Sequence, residues 1–211
     1  MADKHYVGIF ETPIGVYQFN HEDARHLKDT CFRVIETSEG AERNNVGLVH
    51  YCDPSVGLNL LDCDGFDIFH EWIRASSLDY INNSLGYICE DVVVTECWLN
   101  VCKQGGFQPL HNHGNSFVSG TFFLNFTVGK HSPLTFFNVK NSIEPFMTLK
   151  SRERRDRAIV QHAEGTLLLW PSHTGHGYEK NLQEGRITIS FNAMPMFVST
   201  ANNYGYKIVR T

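Results

Sequence analysis

After Asp91 the chain is written in short β-branched and aromatic runs divided by turn residues, and this punctuation narrows the possible folds more than any other feature. Residues 92–102 are rich in Val, Thr, Cys and Trp and have no helical period. Residues 117–127, 134–138, 158–162, 166–170 and 186–192 repeat the pattern. Gly105-Gly106, Gly129-Lys130, Glu164-Gly165 and Glu184-Gly185 stand between them. Many short strands broken in this way predict a sandwich or barrel.

The first 90 residues differ. Loose alternation over residues 8–19 predicts a short strand pair around Pro13. Ala24, Leu27, Cys31, Val34 and Ile35 recur at helical spacing, predicting a helix over 22–37 with Asn20 as its cap. Phe66, Phe69, Ile73 and Tyr80 predict a second helix over 65–81. Residues 44–61, rich in Asn, Gly, Asp and Pro, read as mostly loop. Two helices ahead of the strands would cover one sheet. The expected class is therefore α+β, mainly β, in one domain over 1–211. Within it, 1–90 is a support region, 91–193 the core and 194–211 a C-terminal extension.

Composition permits this. With 42% hydrophobic and 19% charged residues a sizeable core can be buried. A formal net charge of -5 argues against a nucleic-acid surface. The basic run Lys150, Arg152, Arg154, Arg155 and Arg157 reads as a solvated loop. No apolar stretch approaches the ~18 residues of a membrane span, and residues 1–8 lack the apolar run of a signal peptide. A cytoplasmic location is expected. The six cysteines form no Cys-x-x-Cys pair and read as reduced, mostly buried filler.

Chemistry concentrates in the histidines. Of eleven, His5, His21, His26, His50, His70, His131 and His162 stand alone and read as structural or solvent residues. His111-Asn112-His113 follows the loop 105–110 and precedes a strand. In extended backbone residues i and i+2 project to one side, so both imidazoles can converge on one ion. A strand over 166–170 delivers His173 and His176 into a Gly-rich turn, where a third ligand would leave open coordination positions. Imidazoles suit iron, zinc, copper or nickel. Arg186 opens a strand on which Arg186, Thr188 and Ser190 share one face, an arrangement suited to a carboxylate ligand.

With these residues in view, the stretch from Trp98 to Asn192 resembles the 2-oxoglutarate/Fe(II) oxygenase superfamily, in particular its prolyl-hydroxylase-like branch and small bacterial and phage members. The similarity lies in Trp98-Leu99-Asn100, Pro109-Leu110-His111-Asn112-His113, Ser119-Gly120-Thr121-Phe122-Phe123-Leu124-Asn125, Gly165 to Pro171, Pro171 to Gly177, and Arg186 to Asn192, in that order. Weaker matches reach back to Phe10-Glu11-Thr12-Pro13 and Asn45-Val46-Gly47.

The resemblance implies a double-stranded β-helix (jelly-roll, cupin-like) core and a facial Fe(II) site of His111, His113 and His176, with His176 favoured over His173. It implies Arg186 on the far carboxylate of 2-oxoglutarate, with Ser190 beside it. Asn100 and, more weakly, Ser119 would be further co-substrate contacts. It also implies O2 consumption, release of succinate and CO2, and hydroxylation of a peptide, amino acid or small molecule. Two departures stand out. Most of the superfamily has Asp or Glu where His113 stands, and Cys102 and Phe123 occupy positions where a co-substrate-binding tyrosine is frequent. A three-histidine cupin-like dioxygenase or isomerase that does not use 2-oxoglutarate is the rival reading, and a non-catalytic metal-binding module is a third.

Overall fold

The structure is a computed structural model describing residues 11–43, 46–138, 157–199 and 205–209. Its elements in chain order are β1 (Gly15–Gln18), α1 (His21–Thr37), β2 (Ala41–Glu42), β3 (Leu48–Tyr51), α2 (Asp67–Asp79), β4 (Val92–Cys102), β5 (Gln108–His111), β6 (Val118–Asn125), β7 (Thr135–Phe137), β8 (Arg157–Ile159), β9 (Thr166–Pro171), β10 (Gly175–Tyr178), β11 (Arg186–Pro195), β12 (Phe197–Ser199) and β13 (Gly205–Lys207). A major sheet runs β1-β9-β6-β11-β4-β3-β2, a minor one β5-β10-β7-β8, and β12 pairs with β13. The pairings are antiparallel.

Strand alternation sorts the core into two layers. On one face of the major sheet Cys97, Leu99, Phe122, Leu167, Leu169, Ile187, Ile189 and Phe191 pack against Leu27, Cys31 and Val34 of α1 and Phe69 and Ile73 of α2. Phe122, Phe69, Trp72 and Phe19 meet there with ring centroids 4.6–6.1 Å apart. The alternate residues Phe123, Leu168 and Trp170 face the minor sheet and pack with Phe136 and Tyr178. β9 is buried on both faces and reads as a continuous apolar run, and on β6 the small polar Ser119 and Thr121 are buried as well, so neither strand alternates cleanly between buried and exposed positions.

Both helices sit where the sequence places them, on one face of one sheet. Asn20 caps α1 by accepting from the Glu22 backbone N–H at 3.0 Å, with Glu22 and Asp23 in the favourable first turn. The second helix is shorter than the predicted 65–81. Gly65 has φ +92°, which lies outside helical space, so α2 begins at Asp67. It leaves α geometry at Tyr80 for a π-turn over Tyr80–Ser84.

Three segments read as loop are strands. Leu48–Tyr51 pairs along β4, whereas β5 and β10 pair with each other. All three are short; β5 and β10 are rich in Gly, His, Pro or Gln, so their partners stabilise them, while the strand-forming residues of β3 stand among Asn, Gly, Asp and Pro. Gly177 illustrates the constraint: a Cβ there would lie 2.7 Å from the Gln108 carbonyl oxygen across the β5–β10 pairing. Of the predicted strand pair around Pro13, residues 15–18 form β1, which pairs with β9 instead of a near neighbour; residues 8–10 lie outside the described residues. In the basic run only Arg157 is described, ion-paired to Glu179 at 3.0 Å. The described cysteines form no disulfide, and Cys31, Cys52, Cys97 and Cys102 are buried. No helix among the described residues is long and apolar enough to cross a membrane.

Candidate metal centre and anion pocket

His111 and His176 are direct cross-strand partners on β5 and β10. His113 follows in the loop after β5, where its backbone N–H donates to the Ser172 carbonyl at 2.9 Å. These contacts gather one nitrogen from each of His111, His113 and His176 to within 4.8 Å of one another. Ring centroids lie 4.3–5.2 Å apart. His173 is exposed and takes no part in the cluster.

The hydrogen bonds of two of these rings fix which nitrogen is free. His111 Nδ1 lies 2.9 Å from the Pro109 carbonyl and His176 Nδ1 2.9 Å from the Thr174 carbonyl. A carbonyl only accepts, so Nδ1 carries the proton in both rings and Nε2 presents its lone pair. Burial pushes the three imidazoles down from their usual range, His113 to about 4 and His176 to about 3; neighbouring histidine charge adds to the effect at His113 and His176, whereas backbone hydrogen bonds oppose it at His111. They are neutral at pH 7, the form that ligates. Three neutral imidazoles are a donor set that suits a divalent first-row ion, and bonds of about 2.1 Å would draw their nitrogens together to about 3.0–3.4 Å.

The triad opens on a cavity of about 180 Å³. Interior residues of β4 and β11 line it in rows set by the register: Asn100 beside Thr188, Trp98 beside Ser190. The Asn100 amide is held on both sides, accepting from Trp98 Nε1 at 3.0 Å and donating to Ser190 Oγ at 3.0 Å. Ser190 Oγ in turn lies 3.1 Å from Thr121 Oγ1. Ser119 also lines the cavity, but at the histidine end, where it donates to Asn192 Oδ1 and meets Ser172 Oγ, both at 2.8 Å.

Arg186 lies toward the other end of the cavity and is 1% exposed. Its Nε donates to the Ser132 carbonyl at 3.0 Å, and its guanidinium carbon sits 3.9 Å from the centroid of the Tyr178 ring. Nη2 is buried without a hydrogen-bond partner. Among the described residues no carboxylate pairs with this cation. Burial accordingly lowers its pKa, with neighbouring Tyr178 and Cys102 opposing the shift.

Tyr178 and His50 are among the lining residues that the sequence pattern does not single out. Tyr178 stands two positions after His176 on the same strand face, a signal that the pairing of β10 would have exposed. His50 was read as an isolated structural or solvent residue, yet β3 carries it beside Asn100 into the cavity wall. Its Nε2 is buried and unpartnered, and its Nδ1 lies 3.8 Å from Asp53. A larger cavity of about 1100 Å³ lies elsewhere, around Phe107, Pro133, Ile159 and Leu182, and contains none of the three histidines.

Comparison with known proteins places this geometry. Residues 96–192 match the model of a family described as "Putative 2OG-Fe(II) oxygenase". Curated proteins give no match. Among solved structures, HygX from Streptomyces hygroscopicus, with nickel, 2-oxoglutarate and hygromycin B bound, superposes with TM-score 0.61 at 15% identity, covering 94% of this chain and 92% of HygX. A Pseudomonas putida prolyl-4-hydroxylase gives 0.59 at 18% identity, covering 85% and 91%. The non-haem α-ketoglutarate-dependent epimerase SnoN from nogalamycin biosynthesis gives 0.65 at 11% identity, covering 87% and 76%. The chain shares the fold of these proteins.

Proposed function

As residues 96–192 carry the signature of the 2OG-Fe(II) oxygenase family, we propose that this protein is a non-haem Fe(II) oxygenase that consumes 2-oxoglutarate and O2. His111, His113 and His176 would hold the iron, with Arg186 receiving the far carboxylate of the co-substrate. Asn100 and Ser190 would line the path between them. Ser119, engaged with Asn192 and Ser172, supports the histidine end on this reading. The two opposed sheets read as a double-stranded β-helix, and residues 1–211 as one domain acting in the cytoplasm. The bound iron would supply the oxidising chemistry, while the protein orients the co-substrate and excludes water.

One observation carries this reading: a fully buried guanidinium, lacking an acidic partner among the described residues, shares a cavity with three convergent imidazoles. An uncompensated buried cation is costly unless an anion completes it. A dicarboxylic keto acid would meet both demands, one end at the metal and the other at Arg186. A guanidinium accepts a carboxylate in two parallel hydrogen bonds. Hydroxylation of a peptide, amino acid or small molecule is the expected outcome.

Adding 2-oxoglutarate to the Fe(II) protein under anaerobic conditions should produce the visible charge-transfer band of a chelated keto acid. On admission of O2, succinate should form. Iron binding without either signal would favour the three-histidine, 2-oxoglutarate-independent rival.

A further inference from the structure

The three imidazoles are not equivalent. His111 and His176 each hold Nδ1 2.9 Å from a backbone carbonyl two residues earlier, much nearer than the Gln108 amide nitrogen at 3.5 Å from His111 Nδ1, so the local carbonyl sets the tautomer in both. The partner of His113 Nδ1 is instead a nitrogen, Asn192 Nδ2, at 3.4 Å. Asn192 is 3% exposed on β11, in register with Glu96 on one side and Ser119 on the other. Its Nδ2 donates to Glu96 Oε2 at 2.6 Å, and its Oδ1 accepts from Ser119 Oγ at 2.8 Å.

An amide nitrogen has only hydrogens to offer. Facing it, His113 Nδ1 must be the acceptor, which puts the ring proton on Nε2. With Nδ1 accepting from Asn192 and Nε2 protonated, neither nitrogen is free to bind an ion. Turning the Asn192 amide over brings Oδ1 to His113 and reverses the tautomer. The turned amide stays satisfied, because Nδ2 can donate to Ser119 Oγ while that hydroxyl donates to Ser172 Oγ, 2.8 Å away. The turn breaks only the hydrogen bond to Glu96, whose side chain is exposed and can be hydrated instead.

We propose that Asn192 is a positioning residue that decides whether His113 is a ligand, with Glu96 holding the amide in the non-ligating orientation until metal capture turns it over. The inference rests on the reading of the triad as a metal site. It adds that the third ligand is switched by its outer partners. Partners of this kind commonly fix the tautomer of a ligating histidine.

The test uses the full chain with histidine labelled in 15N and Zn(II) as a diamagnetic probe. In the metal-free protein His113, assigned by the signal missing in His113→Asp, should be the Nε2–H tautomer, with His111 and His176 as Nδ1–H. Zn(II) should convert His113 to Nδ1–H. Glu96→Gln can donate to the turned amide, and should tighten Zn(II) binding about fivefold to tenfold as a charge-assisted bond gives way to a neutral one. Asn192→Asp accepts only, and should place His113 in the Nδ1–H form before metal is added. A metal-free His113 already in the Nδ1–H form, or Glu96→Gln binding Zn(II) no tighter than the parent, would overturn the inference while leaving the triad intact. Failure of the parent to bind Zn(II) would overturn both.

Discussion

The two ends of the cavity solve opposite problems. At the histidine end His111 and His176 satisfy their inner nitrogens on their own backbone, two residues away, and no charge is buried. At the arginine end a full positive charge is buried to 1% exposure with a hydrogen bond to one carbonyl and an aromatic face beneath it. The first end is locally complete at two of its three rings and needs a ligand only for its chemistry. The second is electrostatically unfinished and needs an anion for its energy. Metal affinity should therefore follow the local chain at His111 and His176 and the Asn192–Glu96 pair at His113, and co-substrate affinity the depth of burial.

The strongest way to break this contrast is to remove a self-oriented histidine. His176→Ala, or His111→Ala, should abolish stoichiometric iron while the far-ultraviolet dichroism stays that of the parent; metal analysis of the purified variants decides it. Iron retained at parental stoichiometry would remove the triad as drawn.

At the other end, Arg186→Ala should weaken 2-oxoglutarate by at least ~30-fold, since truncating one partner of a buried charge pair costs ~2–5 kcal/mol. Affinity for Mn(II) alone should be unchanged. Arg186→Lys should recover part of the loss as a point charge without the planar fork. Calorimetric titration of 2-oxoglutarate into the Mn(II)-loaded proteins reads all three.

A subtler effect sharpens the comparison. If the arginine end is unfinished without its anion, Arg186→Met should stabilise the ligand-free protein by about 1 kcal/mol or more, as replacing buried ionic groups with apolar ones often does. Urea midpoints without co-substrate would show this, and a lower midpoint would mean that the bond to Ser132 outweighs the buried charge. The smallest effect is expected at His173, which is exposed and outside the cluster. His173→Ala should leave iron stoichiometry at the parental value, and loss of metal there would move the distal ligand.

Legibility varied with how far each feature depends on distant partners. Helix α1 was readable to within a residue because its cap and its apolar stripe are local. The long strands β4 and β11 were readable because β-branched and aromatic composition persists over many positions. The short strands β5 and β10 were not, because His, Gly, Gln and Pro carry little strand preference and pair only when a neighbour is already in place, and β3 was hidden by the Asn, Gly, Asp and Pro around it. The same limit hid the place of His50, whose cross-strand neighbour Asn100 is fifty residues away in sequence and is met only through the pairing of β3 with β4.

The sequence by itself determined the residue types that can bind a cation and an anion, and their faces: His111 and His113 two apart, and Arg186, Thr188 and Ser190 alternating with Ile187, Ile189 and Phe191. Only the tertiary structure decided that His176, and not His173, stands opposite His111, and that Tyr178 lies under Arg186. It alone decided that Asn192 turns a nitrogen toward His113 and that Arg186 is without an acidic partner among the described residues. Ligand type and strand face are properties of a residue and its nearest neighbours along the chain. Desolvation, tautomer and unmet charge depend on every atom around a group, and most of those atoms come from strands remote in sequence.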